Sequence, residues 1–172
     1  MKKLRLLFTK KCNRNCEGCC NKDWDLEALP VFTMGVTSLE GFNEILITGG
    51  EPLLFPVELN DLVNELKEYY PHCKIYIYTA WAEDWRFSQR ILLQKVDGFT
   101  ITLHDQKSAE DFVKQEIQLV RWIPKTSSIR LNIFEDIMFP LVFTQKYKVK
   151  EGMRWIKDCP LPTDEIFMRY ES

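Results

Sequence analysis

Residues 45–52 of the chain run Ile45-Leu46-Ile47-Thr48-Gly49-Gly50-Glu51-Pro52. The apolar residues predict a buried β-strand over 44–48, and the two glycines and the proline predict where it ends. A helix is predicted next, from Phe55 to Tyr70, because apolar side chains recur there at helical spacing. A buried strand followed closely by a helix is the repeating unit of a parallel α/β sheet.

The same alternation continues on both sides of this stretch. A closed eight-stranded barrel needs roughly 200 to 250 residues, and this chain has 172. The sequence therefore predicts an α/β fold in which five or six mainly parallel strands form an open, partial barrel. We expect a single domain over 1–172, whose last part, about 137–172, is an irregular C-terminal strap. Further strands are predicted at 4–9, 74–79, 98–103 and 128–134, and a further helix is predicted from a cap at Asp84 to Lys95.

Closely spaced cysteines precede this stretch. Residues 12–20 run Cys12-Asn13-Arg14-Asn15-Cys16-Glu17-Gly18-Cys19-Cys20, and three of the thiols have the spacing C-x3-C-x2-C. Thiolates are soft ligands that favour zinc or iron–sulfur clusters. A closed zinc site and a closed [4Fe-4S] cluster both take four protein ligands, so three cysteines leave one position open. Cys20 follows Cys19 directly, and we expect its side chain to point away from the other three.

The remaining cysteines, Cys73 and Cys159, stand alone in the sequence. We interpret them as small buried or half-exposed side chains. We do not expect a secreted disulfide framework, because the apolar run Leu6-Leu7-Phe8 is too short for a signal peptide and no stretch has the length of a membrane span. Clustered cysteines in a reducing cytosol are more often ligands than bridges. We therefore predict a cytoplasmic protein.

The composition is that of a folded domain without a large excess of either charge. Charged residues make up 28% and apolar residues 45% of the chain, and the net charge is −2. This balance gives no reason to expect binding to nucleic acid or to an anionic membrane. Basic residues are nevertheless concentrated before Glu17. They form either a solvated strand edge or a positive rim that attracts a phosphorylated substrate or an acidic electron donor. These residues are Lys2, Lys3, Arg5, Lys10, Lys11 and Arg14.

The cysteine motif, followed by Gly-Gly-Glu-Pro at 49–52, resembles the radical S-adenosylmethionine (radical SAM) superfamily. The resemblance implies a (β/α)6-type partial barrel, here trimmed, and two cofactors, an oxygen-sensitive [4Fe-4S] cluster and SAM. It also implies that an electron from the cluster cleaves SAM to methionine and a 5′-deoxyadenosyl radical, which abstracts hydrogen from the substrate. The family often has an aromatic residue before the third cysteine, where this chain has Gly18.

The resemblance also assigns candidate site residues by motif match. Glu51 has a second interpretation, because an acid before a helix interacts favourably with the helix dipole. His104 and Arg130 also have simpler interpretations, as a half-buried strand-end residue and an outward-facing charge. No residue is assigned to catalysis itself. The candidates are Cys12, Cys16 and Cys19 for iron; Gly49, Gly50 and Glu51 for the methionine end of SAM; and Thr79, Thr102, His104, Arg130 and Asn132 for the rest of SAM.

Three functions remain open at this point. The first is a radical SAM enzyme that acts on a small or nucleotide-like substrate and takes its electron from a donor such as flavodoxin or ferredoxin. The second is an activating enzyme that installs a glycyl radical on a protein partner, as the activases of anaerobic ribonucleotide reductase do. The third is a non-catalytic cysteine-loop protein that binds zinc. The sequence names neither the substrate nor the donor.

Overall fold

The computed structural model describes residues 2–81, 87–122, 124, 126–138 and 147–171. Eight strands form one sheet in the order β2-β8-β1-β3-β4-β5-β6-β7, and every pair of neighbours is parallel. The predicted α/β fold with an open, mainly parallel sheet is confirmed. The strands are β1 (Lys2–Thr9), β2 (Val31–Phe32), β3 (Phe42–Gly49), β4 (Lys74–Thr79), β5 (Gly98–Leu103), β6 (Ser128–Phe134), β7 (Lys148–Met153) and β8 (Glu165–Tyr170).

Three α-helices connect these strands. They are α1 (Pro56–Tyr69), α2 (Phe87–Leu93) and α3 (Gln106–Trp122). α1 begins with a proline, which the first helical turn tolerates because its missing N–H has no partner there in any case. The predicted helix after β4 is observed as α2, and its predicted cap at Asp84 lies outside the described residues. Among the described residues, none of the helices combines the length and apolar content that a membrane span requires.

The helices cover one face of the sheet. Alternate residues of the strands, among them Ile47, Ile77 and Leu131, are buried in one apolar cluster with side chains of α1 and α3. The other set of alternate residues points away from the helices, because successive side chains of a strand lie on opposite faces. We call this second side the open face. In the middle of the sheet it carries Tyr76 and Tyr78 of β4, Thr100 and Thr102 of β5, and Arg130 and Asn132 of β6.

Two sequence predictions about the strands are wrong. The sheet has eight strands, not five or six, and the segment predicted as an irregular strap, 137–172, contains β7 and β8. β8 lies inside the sheet between β1 and β2, so the C-terminal part of the chain completes it. β7 is an edge strand rich in charged residues, and the clear alternation that marks a buried strand is missing from it. Residues 139–146 of the predicted strap lie outside the described residues.

Candidate functional site

A cavity of about 220 Å³ lies on the open face, between the cysteine loop and the carboxyl ends of β3, β4 and β5. The cysteine loop is residues 10–20, which follow β1. Parallel α/β sheets bind their ligands at this end of the strands. Eight of the eleven residues predicted from the sequence line this one cavity. They are Cys12, Cys16, Cys19, Gly49, Gly50, Thr79, Thr102 and His104.

The Gly-Gly pair supports the cysteine loop directly. The backbone N–H of Gly50 donates to the Thr9 carbonyl at 2.6 Å, and that of Glu51 donates to the Lys11 carbonyl at 2.9 Å. A Cβ on Gly50 would lie 2.0 Å from the Lys11 carbonyl oxygen, and one on Gly49, whose φ is 138°, would lie 2.2 Å from that of Thr9. Only glycine permits so close an approach of two backbone segments. The glycines thus position the loop that carries the thiols.

Arg14 ties the cysteine loop to the start of α3. Its Nη1 donates to Ser108 Oγ at 2.8 Å and lies 3.5 Å from Asp105 Oδ2. Asp105 also caps α3, because its Oδ1 accepts from the backbone N–H of Ser108 at 2.7 Å. The guanidinium is largely buried and lines the cavity. It therefore places a positive charge beside the thiols.

The three predicted metal ligands are free thiols that face a common space. Burial raises the pKa of the Cys12 and Cys16 thiols, and the charge of Arg14 partly opposes this increase at both. Within the described residues, no three His, Cys, Asp or Glu side chains surround a point where a single metal ion could bind. A cubane takes one cysteine per iron, so its ligands surround a body larger than an ion. Three thiols around a cavity fit such a body.

Glu51 lies behind the cavity wall and is only 1% exposed. Its Oε1 accepts from the Thr79 hydroxyl at 2.6 Å and from the Leu53 backbone N–H at 3.0 Å, and its Oε2 accepts from the Ala80 N–H at 2.9 Å. Burial raises the pKa of this carboxyl, against the effect of these hydrogen bonds. Glu51 thus joins the ends of β3 and β4 and caps the short 3-10 helix Pro52–Leu54. Its predicted contact with SAM stays a prediction.

The predicted strand-end residues separate into two groups. Thr102 and His104 line the cavity, while Asn132 lies beside it and donates from Nδ2 to Thr102 Oγ1 at 3.4 Å. Within the described residues, Asn132 Oδ1 and His104 Nδ1 are buried and have no hydrogen-bond partner. Arg130 is exposed and lines a different cavity, nearer the amino ends of the strands. Unpartnered polar atoms are therefore buried at the ends of β5 and β6, beside the cavity, whereas Arg130 is not among the groups that surround the thiols.

The family of the chain follows from its match to known proteins. A family model described as a 4Fe-4S single cluster domain matches residues 3–118, about two thirds of the chain. The chain belongs to this 4Fe-4S single cluster domain family. The matched region includes the cysteine loop, the Gly-Gly-Glu-Pro motif and the strands that carry Thr79, Thr102 and His104. No curated protein matches the chain.

Sequence analysis missed two groups, and each of them involves a residue beyond the region matched by the 4Fe-4S single cluster domain. Trp155 packs on the cysteine loop so closely that a Cβ on Gly18 would lie 2.6 Å from its ring. The same ring stacks on His104 with 5.0 Å between centroids and 7° between planes. The one feature of the sequence that points to this packing is Gly18, which stands where the radical SAM superfamily often has an aromatic residue. Here the aromatic ring beside this position comes from the C-terminal part of the chain.

The second missed group is a disulfide between Cys20 and Cys159, with 5.4 Å between the Cα atoms. Both residues line the cavity, and the Trp24 indole N–H donates to the Cys159 carbonyl at 3.1 Å. The prediction that Cys159 stands alone is therefore wrong. The bridge removes Cys20 from the ligand set. Cys73 is buried and unpaired, as predicted.

Proposed function

We propose that the chain is a radical SAM enzyme whose [4Fe-4S] cluster is bound by Cys12, Cys16 and Cys19. The observation that carries this proposal is the direct docking of the Gly-Gly-Glu-Pro loop on the cysteine loop, which places three free thiols and the strand ends around one cavity. With three cysteine ligands, one iron of the cubane stays open for the amino and carboxylate groups of SAM. The bound cofactors supply the one-electron cleavage of SAM to methionine and a 5′-deoxyadenosyl radical.

The chain's own residues position and shield these groups. Arg14 places a guanidinium at the cavity, where it can pair with the SAM carboxylate. The unpartnered atoms of Asn132 and His104 and the hydroxyl of Thr102 are suited to the polar parts of the cofactor. Trp155 forms an apolar side of the cavity and helps to exclude water from it.

The substrate class in this proposal is a small or nucleotide-like molecule. The cavity opens on the face of the sheet opposite to α1 and α3, and polar side chains of β4, β5 and β6 continue along that face away from the thiols. This surface suits a small polar substrate more than a protein segment. The electron comes from a small carrier such as flavodoxin or ferredoxin. We propose the cytoplasm as the location, a compartment in which a disulfide such as Cys20–Cys159 is uncommon.

Anaerobic reconstitution tests the proposal. The wild-type chain should bind about four irons and about four sulfides, and it should release 5′-deoxyadenosine when given SAM and dithionite. Cys16→Ala should lose the cluster and this release, because only two thiols remain. Cys73→Ala is the matched control and should keep both, since Cys73 lies in the core away from the cavity. A chain that binds about one zinc and no sulfide would contradict the proposal and favour the zinc hypothesis.

A further inference from the structure

A second cavity, of about 190 Å³, lies on the open face nearer the amino ends of the strands. Tyr78 lines both this cavity and the cysteine-lined one. Thr100 in the second cavity and Thr102 in the first are two residues apart on β5, which corresponds to about 7 Å along a strand. The two cavities are therefore consecutive parts of one surface.

One row of residues across four neighbouring strands forms the floor of the second cavity. Tyr78 pairs in register with Thr100, Thr100 with Arg130, and Arg130 with Lys148. All four residues line the cavity. Two cations thus lie directly opposite each other on neighbouring strands, an arrangement that is destabilising when nothing compensates the charge.

Within the part of the chain that the structure describes, the side chains of Arg130 and Lys148 form no ion pair or hydrogen bond, and both residues are exposed. The third cation of the cavity, Lys3, pairs with Asp164 at 3.0 Å and lies 4.0 Å from Glu44, whose carboxylate also lines the cavity. With Lys3 paired to Asp164, the guanidinium and the ammonium of the row outweigh the single carboxylate of Glu44. The cavity therefore keeps a net positive charge, which favours an anion.

Neutral donors complete the lining. Burial raises the pKa of Tyr76, so its hydroxyl keeps its proton at neutral pH and can donate. Tyr78 and Thr100 add two more hydroxyls. A planar guanidinium binds phosphate oxygens in pairs, and an ammonium binds them as a point charge. Together these groups have the chemistry of a phosphate site.

We propose that the second cavity binds a phosphate group of the substrate, with Arg130 and Lys148 as its two cations. This inference rests on the proposed function, because it makes the second cavity the distal part of the substrate site. The row that forms the floor of the second cavity includes Thr100, which lies two residues before Thr102 and four before His104 along the chain. The reacting carbon of the substrate is then about 7 to 13 Å from its phosphate, so the substrate is a phosphate monoester of small-molecule or nucleotide size.

Calorimetric titration of the full chain with inorganic phosphate tests the site, with acetate as a carboxylate comparison. We expect saturable phosphate binding that weakens at least tenfold in Arg130→Gln and in Lys148→Gln, and acetate binding that is weaker than phosphate binding. Lys67→Gln removes the same charge from an exposed position of α1 and should bind phosphate as the wild type does. Thermal unfolding of each variant verifies that it is folded. Lys148→Gln alters an exposed side chain of an edge strand and so gives a second variant independent of Arg130→Gln.

Three results would overturn the site: no saturable binding to the wild type, wild-type affinity in either variant, or acetate binding as tight as phosphate binding. The titration needs no cluster, so it separates the two proposals. A chain that binds phosphate but assembles no cubane contradicts only the proposed radical SAM activity. A chain that assembles the cubane and cleaves SAM but binds no phosphate contradicts only the phosphate site.

Discussion

One wall of the cysteine-lined cavity is formed by the strand ends of the sheet, and the opposite wall is the cysteine loop. The strand-end wall is stabilised locally. Glu51 accepts three hydrogen bonds from residues of β4 and of its own turn, and the strands behind it are buried on the helix side. The cysteine loop has mostly exposed or half-exposed residues, and distant parts of the chain determine its position.

Three long-range contacts determine the position of the loop. Its start is held by Gly50, its middle by the contact of Arg14 with Ser108, and its end by the bridge from Cys20 to Cys159. These partners belong to β3 and its turn, to α3 and to the segment before β8. The difference between the two walls implies that the geometry of the thiols depends more on remote residues than on the sequence of the loop itself.

The largest effect should come from opening the bridge. A disulfide that closes a loop of 139 residues restricts the unfolded chain strongly, and removing one from a small domain lowers the free energy of unfolding by about 2 to 5 kcal/mol. We expect Cys159→Ser to show this loss in urea denaturation without reductant. Dithiothreitol should lower the stability of the wild type to a similar extent and leave that of Cys159→Ser unchanged. Equal curves for the wild type with and without reductant would show that the C-terminal segment does not hold the loop.

The second effect tests the start of the loop. Gly50→Ala places a methyl group 2.0 Å from the Lys11 carbonyl oxygen, so the two backbone segments must separate and their hydrogen bonds must lengthen. We expect a loss of about 3 kcal/mol in the free energy of unfolding. Gly41→Ala is the control, because its Cβ would meet no atom within 4 Å, so that the positive φ of Gly41, 78°, is the only source of strain there. That change should cost about 1 kcal/mol from backbone strain alone. Similar losses in both variants would mean that the close approach at Gly50 contributes little.

The difference between the two walls, local contacts in one and long-range contacts in the other, also explains which features could be predicted from the sequence. The bounds of β4, β5 and β6 agree with prediction because alternating and apolar residues mark a strand locally. Another general rule is that the carboxyl ends of parallel strands meet at one edge of the sheet. This rule explains why one cavity is lined by the thiols and by Gly49, Gly50, Thr102 and His104.

Contacts between residues far apart in the chain could not be predicted in this way. Cys20 and Cys159 are separated by 139 residues, and neither has a neighbour in sequence that indicates a partner. Trp155 stands in a segment without a clear period, so its contact with Gly18 depends on the path of β7 and β8. Those strands were missed because β7 is an edge strand of charged residues and β8 has only one buried residue, so neither shows a clear alternation.

The third effect concerns the contact between His104 and the C-terminal segment. Burial against Trp155 and Phe134 lowers the pKa of His104 from 6.5 to about 4, and Arg14 adds to this decrease. The unfolded chain therefore binds a proton at this residue more readily than the folded chain does. The contribution of His104 to stability is complete above pH 6.5 and is lost as the pH falls from 6.5 toward 4, by at most about 1.4 kcal/mol per pH unit.

Urea denaturation of the wild type and of His104→Gln between pH 7.5 and about 4.5 measures this, because carboxyl groups titrate alike in both proteins. The difference in free energy of unfolding should be constant above pH 6.5 and should shift against the wild type below it. Parallel profiles over the whole range would mean that the imidazole is as open to solvent in the folded chain as in the unfolded one, and that the ring of Trp155 does not cover it.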